Sequence, residues 1–399
     1  LLAYNDNSGK FFNKEFDFDR GSSATYVAKE GLIKSAASDV PRIDFSDSTS
    51  GALLLEPQRS NLITYSEAFD NGYWIKNGLL TPTSGFLSPN GDLSAFKIVE
   101  DTSNAVHRIR ISSLASGAAA SKEFTYSFFV KKSEVKWFLL KGVVNTQSLT
   151  VNVWFDLENG VIGTESNGSG KIENYGNDWY RCSINIATNS SATSINVYGY
   201  LADDDNSESY QGDGTSGLYI YGAQLEQSFA TSYIPSLSGS TTTRLADVCN
   251  NSGSAQDFNS EEGVLYAEIS ASESATNKYI NIYKDANNRI LLWITSSGTI
   301  RGYAIVNSSG SNVFIDTVGV DVTNNNKIAL RWQGFTLSLF VNGTKIGDST
   351  VTNNFSMMGL TTLDLKDVTN VNHFYGKTKD LQVFTEAKSD EQLAALTTI

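Results

Sequence analysis

Residues 337–346 have the sequence LSLFVNGTKI. Apolar residues occupy alternate positions, Leu337, Leu339 and Val341, up to the dipeptide Asn342-Gly343, which favours the positive φ angles of a two-residue turn. Side chains of a β-strand alternate between two faces, so this stretch predicts two antiparallel strands joined by a hairpin. The same pattern recurs in short segments along the chain, which predicts an all-β protein.

Period-two alternation also identifies the buried face of other predicted strands. The expected inward residues are Phe124, Tyr126, Phe128, Val130, Leu149, Val151, Val153, Phe155, Tyr180, Cys182, Ile184, Ile186, Ile195, Val197, Leu201, Ile280, Ile282, Ile290, Leu292 and Ile294. Ser389 and Gln392 have capping-box spacing and predict one short C-terminal helix. Many short strands with one closing helix predict two tandem antiparallel β-sandwiches.

Changes in composition divide the 399 residues into four predicted ranges. They are an extended N-terminal segment (1–60), a first sandwich (61–235), a Ser/Thr-rich linker (236–261) and a second sandwich (262–399). The chain begins at Leu1 without an initiator methionine, which is compatible with a piece of a longer protein.

Charge and composition argue against several classes of function. Thirty Lys and Arg residues stand against 43 Asp and Glu, a net charge of −13, and the basic residues do not cluster. We therefore expect no nucleic-acid binding, which needs clustered Lys and Arg. No run of about 18 apolar residues occurs, so no membrane insertion is expected. Two cysteines, Cys182 and Cys249, are too few for a disulfide framework or a zinc cage.

Aromatic, amide and arginine side chains lie on the predicted outward face of the first sandwich. A pyranose presents a C–H face that packs on a flat ring and hydroxyls that bond to polar side chains, so this mixture suits a sugar. A second interpretation stays open, in which another strand or subunit covers the face and the aromatics are packing residues. The candidates are Trp154, Arg181, Asn196, Tyr198 and Tyr200, with Asn152 and Asn185 beside them.

The second sandwich has a similar outward set, open to the same two interpretations. Its candidates are Tyr279, Tyr283, Trp293 and Tyr303, accompanied by Asn281 and Arg301.

An acidic loop gives the only candidate metal site of the sequence. Calcium would be its ion, since hard cations take several carboxylate and carbonyl oxygens. The loop lacks EF-hand spacing, and a solvated turn is the preferred interpretation because Asp and Asn readily form loops. The candidate ligands are Asp203, Asp205, Glu208, Asp213 and, from a later strand, Glu226.

Catalytic candidates are few. His107 and His373 lie in different predicted domains, so neither is expected to act as the base of a Ser-His-Asp triad. Glu268 and Glu273 are the nearest approach to a glycosidase pair, but the residues between them, 269–272, contain no second acid and run into a predicted turn. We predict no catalytic residue and a protein that is not an enzyme.

Two long segments resemble ones common in bacteriophage tail, fibre and head-spike proteins. The first runs from Gly31 to Tyr65 and includes PRIDF (41–45) and LLLEPQRSNL (53–62). The second includes GDGTSGLYIYGAQLE (212–226), ATSYIP (230–235) and TRLADV (243–248). The first sandwich also resembles jelly-roll carbohydrate-binding modules. Residues 262–399 resemble concanavalin-A-like, laminin-G-type sandwiches through the Asn342-Gly343 hairpin and YGKTKDLQVF (375–384).

This resemblance implies a virion surface protein, or a prophage-encoded copy, that binds a bacterial surface glycan without catalysis. It also implies other virion proteins as partners and a homo-oligomer, commonly a trimer. Two alternatives stay open: a purely structural virion module with aromatic subunit interfaces, and a polysaccharide lyase or glycoside hydrolase. In the lyase case, His373, Tyr375 and Lys377 loosely match the base and cation such enzymes use.

Overall fold

The computed structural model describes residues 2–6, 10–307 and 312–399. Over these residues regular structure is almost entirely β-strand, and every strand pair is antiparallel except β1 with β34, which is parallel. The predicted fold class, all-β with antiparallel sandwiches, is confirmed.

The strands up to residue 166 are β1 (Leu2–Asp6), β2 (Lys10–Lys14), β3 (Asp17–Asp19), β4 (Ala24–Val27), β5 (Ile33–Ala36), β6 (Arg42–Asp44), β7 (Ala52–Leu55), β8 (Arg59–Asn61), β9 (Ile75–Asn77), β10 (Thr83–Phe86), β11 (Ala95–Val99), β12 (Asn104–Ala105), β13 (His107–Leu114), β14 (Glu123–Lys132), β15 (Trp137–Val144), β16 (Leu149–Asp156) and β17 (Val161–Ser166). The later strands are β18 (Gly170–Asn174), β19 (Trp179–Ala187), β20 (Ile195–Ala202), β21 (Tyr210–Gln211), β22 (Gly217–Gln227), β23 (Thr242–Arg244), β24 (Val248–Asn250), β25 (Glu262–Ala271), β26 (Lys278–Asp285), β27 (Asn288–Ile294), β28 (Ile300–Val306), β29 (Asn312–Asp316), β30 (Asn326–Gln333), β31 (Thr336–Val341), β32 (Thr344–Thr350), β33 (Thr362–Asp364) and β34 (Gly376–Phe384). A 3₁₀ turn covers Phe355–Met357, and helix α1 covers Asp390–Thr397.

The chain forms two compact units. The central unit contains Ser23–Ala36 and Gln58–Leu245, and the C-terminal unit contains Leu1–Ser22, Ala37–Pro57 and Ala246–Ile399. The ranges expected for an N-terminal segment and a linker are therefore divided between the units. The division follows strand pairing, because β23 pairs with β8 in the central unit while β24 pairs with β3 in the C-terminal unit.

The central unit packs two six-stranded sheets around one core. Their strand orders are β10-β11-β22-β14-β19-β18 and β17-β16-β15-β20-β13-β9. The core takes residues from both sheets, including Phe128 and Ile184 of the first and Phe138 and Val153 of the second. Phe128, Ile184 and Val153 belong to the predicted inward sets, so period-two alternation gave the correct buried face for their strands.

The C-terminal unit also packs two sheets. One has the main strand order β2-β1-β34-β25-β30-β31-β32, with β6 and β7 joined at β34; the other has the order β29-β28-β27-β26-β33. Ile282, Ile290 and Leu292 of the five-stranded sheet meet Leu330 and Leu339 of the larger sheet in the core.

Two local predictions in the C-terminal unit are confirmed. Asn342 and Gly343 form the turn between β31 and β32 with φ angles of 51° and 81°, the left-handed region that such a turn requires. Helix α1 begins after Ser389, whose hydroxyl and backbone complete a capping box with Gln392. Within the described ranges, no helix combines the length and apolarity needed to cross a membrane.

A buried ionic network joins the separate segments of the C-terminal unit. Asp247 accepts hydrogen bonds from Arg42 Nη2, from Arg20 Nη1 at 3.1 Å and from the Glu56 backbone N–H at 2.7 Å. Arg42 Nη1 donates to Glu56 Oε2 at 2.7 Å, and all four side chains are buried. Three residues of this network lie in the segments that resemble phage proteins: Arg42 in PRIDF, Glu56 in LLLEP and Asp247 in TRLADV. In this chain those segments therefore contribute to the buried ionic network.

Candidate functional site

The candidates predicted for the second sandwich lie on the outward face of the five-stranded sheet. All of them except Asn281 are partly exposed. Because residues paired across antiparallel strands share a face, the pairs Tyr279↔Trp293, Trp293↔Arg301 and Arg301↔Asp316 form one row. A neighbouring row follows Asn281↔Leu291, Leu291↔Tyr303 and Tyr303↔Phe314. We define the outer aromatic face as Tyr279, Asn281, Tyr283, Arg289, Trp293, Arg301, Tyr303, Phe314 and Asp316.

The rings of this face are held in fixed relation to one another. Tyr279 and Trp293 stack with centroids 5.4 Å apart and an interplanar angle of 16°, and Tyr303 meets Trp293 edge-on at 6.3 Å. The indole N–H of Trp293 donates to Asn277 Oδ1 at 3.0 Å, which fixes the ring orientation. These three side chains are half-buried, and Phe314 is 55% exposed. The face therefore offers preformed apolar area to a ligand.

Arg301 supplies an oriented guanidinium within the face. Its carbon lies 4.6 Å from the Trp293 ring centre and 4.4 Å from that of Phe314, and two hydrogen bonds of 2.6 and 2.8 Å hold it to Asp316. The Asp316 hydrogen bonds raise the pKa of Arg301, against a smaller lowering by burial. Its cation is thus neutralised by a neighbour, and its role on this face is to brace two rings.

Asn281 lies under the aromatic side chains, between Tyr279 and Tyr283 along β26. It is 0% exposed, and neither its Oδ1 nor its Nδ2 has a hydrogen-bond partner among the described residues. A buried, unsatisfied amide costs about 1–3 kcal/mol. Tyr283 is held by a 2.8 Å hydrogen bond from its hydroxyl to Asp364, and burial together with this bond raises its pKa to about 12.

Trp154 and Tyr200, predicted outward in the first sandwich, do face away from its core but are covered. Trp154 is 3% exposed, and its indole N–H donates to the Ser207 carbonyl at 3.0 Å. Tyr200 is equally buried, and its hydroxyl accepts from Arg108 at 2.6 Å. Lys141 anchors the covering loop through Glu208 at 2.8 Å. Loop 203–208 therefore makes this face a secondary packing layer.

Tyr198 and Asn196 are half-buried on the same sheet. Tyr198 lies beside Tyr200 with ring centroids 6.0 Å apart, while Asn196 Oδ1 accepts from the Ser113 backbone at 2.8 Å. Both side chains therefore contribute to local packing and bonding.

Arg181 lies on a different sheet from Trp154, contrary to the prediction that they share a face. Arg181 belongs to β19 in the sheet of β14 and β22, whereas Trp154 belongs to β16 in the opposite sheet. Arg181 Nη1 donates to the Thr231 carbonyl at 2.6 Å, and Glu226 lies 3.9 Å away. Alternation assigns a residue to a face of its strand but does not say in which sheet that strand lies. Asn185, also on β19, is separated from Trp154 for the same reason.

The predicted calcium ligands are engaged separately. Asp203 accepts from Ser207, Asp205 from Thr164, Glu208 from Lys141, Asp213 from Thr215 and Ser216, and Glu226 from Thr231 and Gln224. Hydrogen bonds from Ser216 and Thr215 lower the pKa of Asp213, whereas burial raises that of Glu226. Within residues 2–6, 10–307 and 312–399, no group of three or more His, Cys, Asp or Glu could hold a metal ion.

The catalytic candidates also have structural partners. His107 is buried, with Nδ1 2.5 Å from the Gly78 carbonyl oxygen. His373 stacks on Tyr375 at 5.7 Å, and burial lowers its pKa. Glu268 accepts from Asn325 at 2.9 Å, Glu273 pairs with Lys278 at 2.5 Å, and Lys377 pairs with Asp44 at 3.0 Å.

Three members of the outer aromatic face were not predicted from the sequence: Arg289, Phe314 and Asp316. The signal for Arg289 was present, since it alternates with Ile290 and Leu292. Val313 and Ile315 pack against the core, which directs Phe314 and Asp316 outward, but this strand is short and its alternation is weak.

Comparison of the sequence with protein-family models and with curated proteins gives no match. Among solved structures, the carbohydrate-binding module (CBM40) of a Ruminococcus gnavus IT-sialidase bound to α2,3-sialyllactose is similar at 18% identity and a TM-score of 0.32, covering 37% of this chain and 93% of the module. Mouse laminin α1 domains LG4-5 are similar at 8% identity and a TM-score of 0.26, covering 71% and 87%. The enzymatically active domain of bacteriophage CBA120 tailspike protein 2 is similar at 14% identity and a TM-score of 0.30, covering 38% and 26%. These values are too low to transfer a ligand or an activity.

Proposed function

We propose that this protein binds a carbohydrate on the outer aromatic face of its C-terminal unit, without catalysis. The observation that carries the proposal is the preformed group of half-buried Tyr279, Trp293 and Tyr303 rings, with Asn281 and two arginines beside them. Flat rings pack against the C–H face of a pyranose, an amide accepts from and donates to its hydroxyls, and a guanidinium donates to them. The covered Trp154 face of the central unit has no comparable open area.

We further propose that the sugar is a bacterial surface polysaccharide and that the chain is a bacteriophage tail, fibre or other virion surface protein, or a prophage-encoded copy. Support comes from the resemblance of residues 31–65 and 212–248 to segments of such proteins. A shallow open face suits weak binding by each copy. Several copies in a homotrimer, alongside other virion proteins, would raise the apparent affinity without new contacts.

Replacing Trp293 with alanine should weaken glycan binding by about 30-fold, equivalent to about 2 kcal/mol, as expected for a central aromatic contact. The test uses a glycan array followed by calorimetric titration of the best-bound glycan. Phe335, 47% exposed in a turn of the same unit, provides the control, and Phe335→Ala should bind like the wild type. Unchanged binding by Trp293→Ala would contradict the proposed site.

The same variant distinguishes glycan binding from a structural virion role. If the outer aromatic face is a glycan site, Trp293→Ala should keep the oligomeric state of the wild type in light scattering. Dissociation of the oligomer on this substitution, with no glycan bound by the wild type, would instead identify the face as a subunit interface.

A further inference from the structure

Arg289 has a half-buried guanidinium with no carboxylate against it among the described residues. It lies on β27, opposite Tyr283 on β26 and Ile305 on β28, with its guanidinium carbon 5.9 Å from the Tyr303 ring centre. Its Nε is buried and lacks a hydrogen-bond partner. Arg301, on the same face, is held by both oxygens of Asp316. The two arginines therefore differ: Arg301 is neutralised in place, and Arg289 is not.

Two other polar side chains of the outer aromatic face, close to Arg289, form no hydrogen bond to the described residues. The Asn281 amide is fully buried and unpaired within the described part of the chain. The Tyr279 phenol has no hydrogen bond to the described residues. Burial and the Asp367 carboxylate raise its pKa, while Arg289 and Arg301 act in the opposite direction. Access of a ligand to the Asn281 amide requires the Tyr279 ring to leave its stack on Trp293, and no hydrogen bond from the Tyr279 hydroxyl to the described residues opposes that movement.

We propose that the glycan bound on the outer aromatic face bears a carboxylate, and that Arg289, assisted by the Asn281 amide, binds it. This inference rests on the carbohydrate-binding function proposed above. A guanidinium and a carboxylate form paired, charge-assisted hydrogen bonds that are stronger than bonds to neutral hydroxyls. A ligand carboxylate would supply the counter-charge that Arg289 lacks and an acceptor for Asn281 Nδ2.

The negative net charge of the chain bears on how an acidic sugar could be bound. With a net charge of −13, the protein as a whole repels acidic polysaccharides, so selection for an acidic sugar must come from a local cation. Binding by Arg289 should consequently be specific to the position of the acid on the sugar, and added salt should weaken it only partly because the guanidinium is half-buried.

The test uses matched saccharides: uronic-acid oligosaccharides, their carboxyl-reduced neutral forms, and sulfated analogues of the neutral forms. The wild type should bind at least one acidic member more tightly than its reduced form. Arg289→Gln should weaken that binding by about tenfold to a hundredfold, the loss expected for hydrogen bonds to a charged group. Binding of the reduced form should fall by a smaller factor, because its neutral hydroxyl forms weaker bonds to the guanidinium than a carboxylate does. Arg110→Gln, which removes a positive charge in the central unit, should bind like the wild type. Matching thermal melts show that the variants are folded.

The outcomes separate this inference from the proposed function. One contrary result is equal binding of the acidic and reduced saccharides by the wild type, with binding lowered by Trp293→Ala but not by Arg289→Gln. That result would overturn the proposed carboxylate recognition and keep the proposed glycan site. Preference for the sulfated analogues over the uronates would overturn it as well. No binding of any saccharide by the folded wild type would overturn both.

Discussion

Replacing Asp247 with asparagine is expected to destabilise the C-terminal unit by about 3–5 kcal/mol, the usual cost of removing one partner from a buried ion pair. Asp247 accepts hydrogen bonds from Arg20 and Arg42, both buried, and from the Glu56 backbone N–H. Asparagine has nearly the same shape but no charge, so the two guanidinium groups lose a shared counter-charge in a place that water does not reach. For a unit of this size the melting temperature should fall by about 10 °C or more.

Asp47→Asn is the matched control, because it makes the same chemical change in an exposed ion pair of the same unit. Asp47 lies 3.1 Å from Lys377 and its side chain is 49% exposed, so its loss should cost less than about 1 kcal/mol. Calorimetric melting measures both variants, and hydrogen–deuterium exchange of residues 246–399 locates the effect. Equal, small changes for Asp247→Asn and Asp47→Asn would refute the role assigned to the buried network.

Strand alternation predicted the buried faces well because that information is local. Side chains one residue apart point to opposite faces of any strand, so Ile280 and Ile282 entered the core as expected, and Tyr279 and Tyr283 faced outward. The Asn342-Gly343 turn and the Ser389 cap were equally predictable, since each depends on residues within one short stretch.

Sheet membership was not predictable in the same way. β16 forms a hairpin with the preceding strand β15, whereas β19 pairs with β14, from which four strands separate it along the chain. This long-range pairing places Arg181 in the sheet opposite that of Trp154. The first 57 residues are divided between the two units because some of their strands also pair through long-range contacts. Strands β4 and β5 pair with each other in the central unit, whereas β7 pairs with β34, more than 300 residues later.

Burial of the aromatic side chains around Trp154 depends on a loop that carries no periodic signal. The acidic loop 203–208 resembled a solvated turn or metal site in sequence, yet it covers Trp154 through the Ser207 carbonyl and the Lys141–Glu208 pair. Trp293 lies on a comparable strand with a comparable pattern, but its face retains half-buried rings. The sequence therefore indicated outward aromatic side chains in both units, and the folded loop 203–208 covers those of the central unit.

Replacing Trp154 with alanine is expected to destabilise the central unit by about 3–5 kcal/mol, the usual range for a buried tryptophan. The side chain is 3% exposed and packs with Leu139, Tyr200 and Ala202, so its removal leaves a cavity beneath loop 203–208. It also leaves the Ser207 carbonyl without its indole donor. Calorimetric melting should show a fall of about 10 °C, with hydrogen–deuterium exchange increased in residues 203–208.

Trp154→Phe is the control, because it keeps an aromatic ring in the cavity and removes the indole N–H. It should cost much less, on the order of 1–2 kcal/mol for the lost hydrogen bond and the smaller ring. Below their melting temperatures, both Trp154 variants should bind glycan like the wild type, since the covered face is not the proposed site. If Trp154→Ala melts normally but loses glycan binding, loop 203–208 must open to admit the sugar, and the site lies in the central unit rather than on the outer aromatic face.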